Sequence, residues 1–109
     1  MLATGEKLNK PIVRCHALFQ LGRIARRTRH VDDAVPAYGE ALGIAEEQGD
    51  RRSVAFIAYE LASAEAERGN VAGAIELADR AVDIYRHLHV AERLDQAMSL
   101  RASLNGSTS

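Results

Sequence analysis

The sequence predicts an all-α fold built from antiparallel helical hairpins, and three observations carry that prediction. Alanine and leucine are abundant in a 109-residue chain with only two prolines, so intrinsic preference favours helix nearly throughout. Apolar residues recur at i, i+3, i+4 and i+7, the spacing that lines one face of a helix. Displaced by forty residues, the segment 11–50 lies over 51–90 without a gap, which marks an internal repeat whose units stack to bury a core.

Composition narrows the class. With 47% hydrophobic and 27% charged residues, the chain has the balance of one folded soluble domain. A net charge of −1 and a pI near 6.4 lack the positive excess needed to hold a phosphate backbone, so no direct nucleic-acid partner is expected. The single Cys15 cannot close an internal disulfide, and the opening MLATGEKLNK carries charges where a signal peptide carries its apolar segment. No run approaches the roughly 20 apolar residues that span a bilayer. A cytoplasmic setting without a membrane partner is the expectation.

The repeat fixes the elements in order. Leu21 meets Leu61, Val31 meets Val71, Ala34 meets Ala74, Ala41 meets Ala81 and Ile44 meets Ile84. Within the first unit, Leu18, Leu21, Gly22 and Ala25 share one face of a first helix. Val31, Ala34, Val35, Tyr38, Ala41, Leu42 and Ala45 share one face of a second. Between them TRHVDD supplies turn residues and early carboxylates suited to a positive helix N-terminus. RGNV, with Gly69 and Asn70, does the same in the second unit. A glycine inside a helix costs about 1 kcal/mol relative to alanine, so Gly22 needs a compensating contact. The expected one is close approach of the paired helices, Gly22 facing Ala34 and Ala62 facing Ala74.

The two ends read differently. Carried onward, the register places Ala97 on Ala17 and Ile57, and Leu104 on Ile24 and Ala64. Residues 91–104 therefore read as a capping helix, with Arg101 turned toward an absent successor, and 105–109 as a disordered tail. Carried backward, it lays Leu2 on Leu42 and Glu6 on Glu46, so residues 1–10 read as a tail or the remnant of a preceding helix. Val13, Ala17 and Ile24 then point toward a missing neighbour. The chain is expected to be the C-terminal piece of a longer array or a homodimer joined through those three residues, unless residues 1–10 fold back over them.

The segment ALFQLGRIARRTRHVDDAVPAYGEAL, Ala17 to Leu42, resembles the tetratricopeptide repeat, with Leu18, Leu21, Gly22, Ala25, Ala34, Tyr38 and Ala41 on its signature places. The usual period of that family is about 34 residues. The longer units here, ending in IAEEQGD and IYRHLHV, are similar to repeats of kinesin light chains and of bacterial signalling regulators. The second unit departs from the pattern, with Ala58, Ala62 and Glu65 where the first has Leu18, Gly22 and Ala25. The resemblance implies a right-handed superhelix of two repeats, 11–50 and 51–90, plus the capping helix. It also implies a non-catalytic scaffold that binds a protein or peptide in a concave groove.

On this sequence the groove face is His16, Phe19, Gln20, Arg23 and Arg27 in the first repeat and Phe56, Tyr59, Glu60, Ser63 and Glu67 in the second. Phe19, Phe56 and Tyr59 have the character of binding anchors, or else pack between adjacent first helices. Arg23, Arg26 and Arg27 could grip a carboxylate or phosphate, or pair with Glu60 and Glu67 across the repeat, which is the favoured reading. The terminal-carboxylate specificity of chaperone-tail binders is not carried over, because Phe19 and Ser63 break its pattern. On the outer face Pro36, Gly39 and Gly43 form a stripe open to a close backbone contact.

No catalytic set assembles. Cys15 and His16 are sequence neighbours about 100° apart on a helix and cannot act as a nucleophile and base by themselves. His87 and His89 lack metal-ligand spacing, and there is no Gly-rich phosphate loop, so neither enzyme activity, metal nor cofactor is expected. A second reading makes the chain a regulatory or sensor segment of a larger bacterial signalling or transcription protein, its groove holding a small molecule or a neighbouring domain.

Overall fold

The computed structural model describes residues 2–108, with side chains over residues 10–105. The described residues form five helices and no strand: α1 Leu2–Arg27, α2 Val31–Glu47, α3 Arg51–Glu67, α4 Val71–Leu88 and α5 Ala91–Thr108. Each packs on the next in the chain, with a smaller contact between α3 and α5. The stack measures 56 × 33 × 19 Å, with a radius of gyration of 14.6 Å. A compact domain of this length would have about 13 Å, so the array is drawn out along one direction.

All four turns are built alike. Arg29, Gly49, Gly69 and His89, one every twenty residues, have φ of 64°, 68°, 89° and 58°. In each turn the next residue returns its N–H to a carbonyl five residues back: His30 to Ala25 at 2.7 Å, Asp50 to Ala45 at 3.1 Å, Asn70 to Glu65 at 2.9 Å and Val90 to Tyr85 at 3.1 Å. This is the Schellman closure, which satisfies the last carbonyls of one helix and reverses the chain within three residues. Asp50 and Asn70 then cap the next helix by accepting from the N–H of Ser53 and Gly73, each at 3.2 Å. His30 caps α2 without a side-chain bond, and Asp32 and Asp33 supply the acidic first turn.

The core is thin and rich in alanine. Ala34, Ala41, Ala55, Ala58, Ala62, Ala64, Ala74, Ala78 and Ala81 are wholly buried, and Tyr38 is the largest side chain fully enclosed. Gly22 makes room for that ring, which stands one turn beyond Ala34 on α2. A β-carbon at position 22 would lie 2.5 Å from a ring carbon of Tyr38. In the second repeat the same places hold Ala62 and Ala78, which cluster with Ala74 and Leu104. One repeat thus combines nothing with a large ring, and the other combines two methyl groups.

Leu21 also departs from its expected face. It is 58% exposed, whereas its counterpart Leu61 is 7% exposed. The hairpin side of α1 is Cys15, Leu18, Gly22 and Ala25. Leu21 lies about 60° from Leu18 on the side toward a preceding helix, which α2 supplies for Leu61 and nothing among the described residues supplies for Leu21. The same shift relocates Arg101: it faces α4, where its Nε holds Asp79 at 2.5 Å. The side of α5 turned from α4 instead bears the exposed Asp95, Met98, Ala102 and Asn105.

Both ends are more helical than the sequence led one to expect. The break between residues 10 and 11 is absent, because α1 runs through Pro11 from Leu2. Because residues 2–9 continue α1, they do not fold back over it; their side chains, and Met1, lie outside the described residues. Residues 105–108 continue α5 and do not form a disordered tail; Ser109 lies outside the described residues. A β-carbon added at Gly39 or Gly43 meets nothing within 4 Å, so their outer stripe is open to its surroundings.

Candidate functional site

The strip facing away from the array along α1 follows from the repeat. Val13, Leu21 and Ile24 are 56–63% exposed, and Ala17 between them is exposed too. The residues forty places on from Ala17, Leu21 and Ile24 are Ile57, Leu61 and Ala64, all buried at the α2–α3 contact. The sequence-derived trio Val13, Ala17 and Ile24 therefore lies on one uncovered face, joined by Leu21. The strip is bordered by the exposed Lys10, Arg14 and Arg27, of which Arg14 reaches back to Glu40 on α2 at 2.8 Å.

A cleft of about 310 Å³ opens where α1, the end of α2 and the start of α3 meet. His16, Phe19, Gln20, Arg23 and Phe56 line it, as five of the ten expected groove residues. Its wall also includes Ile12, Cys15, Ile44, Gln48, Asp50 and Ser53, which the sequence reading did not place in the groove. Of these, Gln48, Asp50 and Ser53 lie at the α2–α3 turn, and one signal pointed there: Asp50 followed three residues later by Ser53, ahead of an apolar run, marks a helix start.

The aromatic residues behave as packing more than as anchors. Phe19 is 7% exposed and sits between Tyr38 and Phe56, with ring centroids at 5.4 and 5.1 Å. Phe19 thus packs between neighbouring helices, as the alternative reading had it, while still lining the cleft. Phe56 is half-buried beneath the Arg93 guanidinium of α5, 4.9 Å from its centroid. Tyr59 packs against the core, and Ser63 Oγ donates to the Tyr59 carbonyl at 3.3 Å.

Arginine pairing across the repeat falls to Arg26. Its Nη1 meets Glu60 at 2.9 Å and its Nη2 meets Glu67 at 2.6 Å. Burial would lower its pKa, but the hydrogen bond and charge of Glu67, a hydrogen bond with Tyr38 and the charge of Glu60 hold it above the ordinary value. Among the described residues Arg23 and Arg27 have no ion-pair partner. They line, with Arg26, Tyr38, Glu60 and Glu67, a second and more open recess of about 270 Å³. Tyr38 Oη and Arg26 Nε are both buried there. The two side chains lie within hydrogen-bonding reach of each other, which helps to raise the Arg26 pKa and works against the rise that burial imposes on Tyr38.

Cys15 donates its thiol to the Ala41 carbonyl at 3.3 Å. Burial, aided by the Asp50 charge, pushes its pKa up, so at neutral pH it is a protonated thiol and a poor nucleophile. Among the described residues no group of histidine, cysteine and carboxylate side chains is placed to hold a metal ion, and no helix is long and apolar enough to cross a membrane. No protein-family model matches the chain, and no curated protein aligns with it significantly.

Proposed function

We propose that this chain is a helical-repeat scaffold of tetratricopeptide type that binds other proteins through its uncovered α1 face. One observation carries the reading: Ala17, Leu21 and Ile24 are exposed at the places where Ile57, Leu61 and Ala64 are buried under α2. Burying an aliphatic side chain contributes about 1.5–3 kcal/mol, and contiguous exposed apolar surface marks association sites. A helix in the position that α2 takes over α3 covers this strip. In a longer array it comes from the preceding repeat; for the isolated chain it comes from a second copy. The forty-residue register and the uniform turns support the family likeness.

Light scattering on the isolated chain at micromolar concentration tests the reading. The wild type is expected to be a dimer, and Ile24→Glu a monomer of unchanged helicity, since Ile24 makes no buried contact within the chain. A wild type that is monomeric at all concentrations overturns it. The cleft of about 310 Å³ favours a second reading, a regulatory segment whose groove holds a small molecule, because ligand pockets begin near that size. Upstream coding sequence in frame with Met1 supports that larger regulator.

A further inference from the structure

A third recess, of about 300 Å³, opens where the start of α3, the end of α4 and the start of α5 meet. Arg52, Ser53, Phe56, Tyr85, Val90 and Arg93 line it. Tyr85 is only 3% exposed, yet it forms part of this wall. Its hydroxyl has no hydrogen-bond partner among the described residues and, unlike that of Tyr38, is not sealed from solvent. Burial raises the Tyr85 pKa, and the positive charges of Arg93 and Arg52 work against that rise. The phenol therefore keeps its proton at neutral pH, within the field of both guanidinium groups, and is free to donate. Both arginines are exposed and have no ion-pair partner among the described residues. Arg93 is steadied over the Phe56 ring, 4.9 Å from its centroid. The Glu60 carboxylate, whose charge also reaches Tyr85, is taken by Arg26, and that of Asp50 by the Ser53 hydroxyl and N–H. Three helices thus set a buried phenol and two unanswered positive charges around one opening.

The apolar side of this recess leads on. Phe56 and Ser53 also line the cleft of about 310 Å³, whose wall includes Phe19, Ile44 and Ile57. A cationic recess and an apolar cleft therefore share the Phe56 ring. We propose that together they bind a small organic acid with an apolar body, its carboxylate against Tyr85, Arg52 and Arg93 and its body along Phe56 into the larger cleft. A planar carboxylate matches the fork of a guanidinium, and one of its oxygens accepts from the Tyr85 hydroxyl. A water molecule satisfies the phenol but leaves both charges unmatched, so it is the competing occupant. The proposal rests on the second functional reading, a ligand-holding groove, and names the chemistry of the ligand; it is independent of association through α1.

Calorimetry and amide NMR shifts on the full chain, at constant ionic strength and with 3-phenylpropionate as the probe, test the site. Saturable binding is expected, at least about tenfold tighter than that of acetate, which has the head without the body, or of 3-phenylpropan-1-ol, which has the body without the charge. Tyr85→Phe keeps the ring in the core and should weaken the acid about tenfold, the effect of losing a hydrogen bond to a charged group. Arg52→Gln with Arg93→Gln, at exposed positions, should abolish saturation with the circular dichroism unchanged. Ile24→Glu, the variant that tests the α1 strip, should bind the acid as the wild type does, so the two readings fail separately. Equal affinity for the acid and the alcohol overturns the carboxylate site while leaving a ligand-holding groove in place. No saturation at millimolar acid, or equal affinity in wild type, Tyr85→Phe and the arginine variant, leaves water as the occupant of the recess and overturns the proposal.

Discussion

At position 22 the missing side chain is a space for another residue's ring. Helix propensity alone predicts that Gly22→Ala stabilises α1 by about 1 kcal/mol. The structure predicts the reverse, because the new methyl would press on the enclosed Tyr38 ring and overpacking costs about 1–3 kcal/mol. Tyr38→Ala should cost about 3–5 kcal/mol through the cavity it leaves. Combined, Gly22→Ala and Tyr38→Ala copy the Ala62 and Ala78 arrangement, so the double variant should be more stable than the sum of the singles. Urea unfolding of the four proteins measures that coupling. The need for a small residue was legible in the sequence, but the ring it admits was not, since Ala34 and Tyr38 lie one turn apart on the same face of α2. The exchange of Gly and Tyr for two alanines was visible in the register all along. The two readings of Phe19 stayed open for a related reason: spacing places a residue on a face but does not say how deeply its neighbours enclose it.

The two enclosed phenols also give the protein an alkaline limit. Burial raises the pKa of Tyr38 and of Tyr85. A group whose folded pKa lies above its unfolded one contributes stability that is intact below the unfolded value, about 10 for tyrosine, and is lost as pH climbs through the folded value. Urea midpoints should therefore hold level on the alkaline side of neutrality and fall above about pH 10, and Tyr85→Phe should soften that fall.

Among the elements, the turns are the most uniform feature and the least evenly written. Gly49 and Gly69 announce their left-handed residues, and Asn70 announces its cap. Arg29 and His89 occupy the same conformation with a side chain attached, which costs about 1–2 kcal/mol, and nothing in TRHVDD or RHLHV marks them. Arg29→Gly and His89→Gly should each raise stability by up to about 1 kcal/mol, after the entropy that glycine adds to the unfolded chain. Gly49→Ala should lower it by about 1 kcal/mol. Thermal melts of the three variants check both signs together. The helix ends were harder to read where an array has no neighbour. Pro11 suits the first turn of a helix, the place its counterpart Arg51 holds in α3, yet α1 runs through it, and Gly106 likewise fails to end α5.

For the whole molecule, the hairpin array was legible because a forty-residue period can only be satisfied by stacking like on like. The cleft and the recess were only half legible, because each draws on a turn or on a second helix that no single-helix pattern connects. Stability should be graded along the stack. The middle helix α3, covered by both α2 and α4, should show the slowest amide exchange. The outer α1 and α5 should exchange fastest, by opening without the rest. Hydrogen-exchange mass spectrometry resolves that order, and uniform protection across all five helices would contradict it.

The closeness of each helix to its neighbour in the chain sets the kinetics as well. No strand has to find a distant partner, so the search for native contacts is short-range, and topologies of this kind form in microseconds to milliseconds. The same economy of long-distance ties lets tension on the two termini peel one hairpin at a time at low force, with no single breaking point.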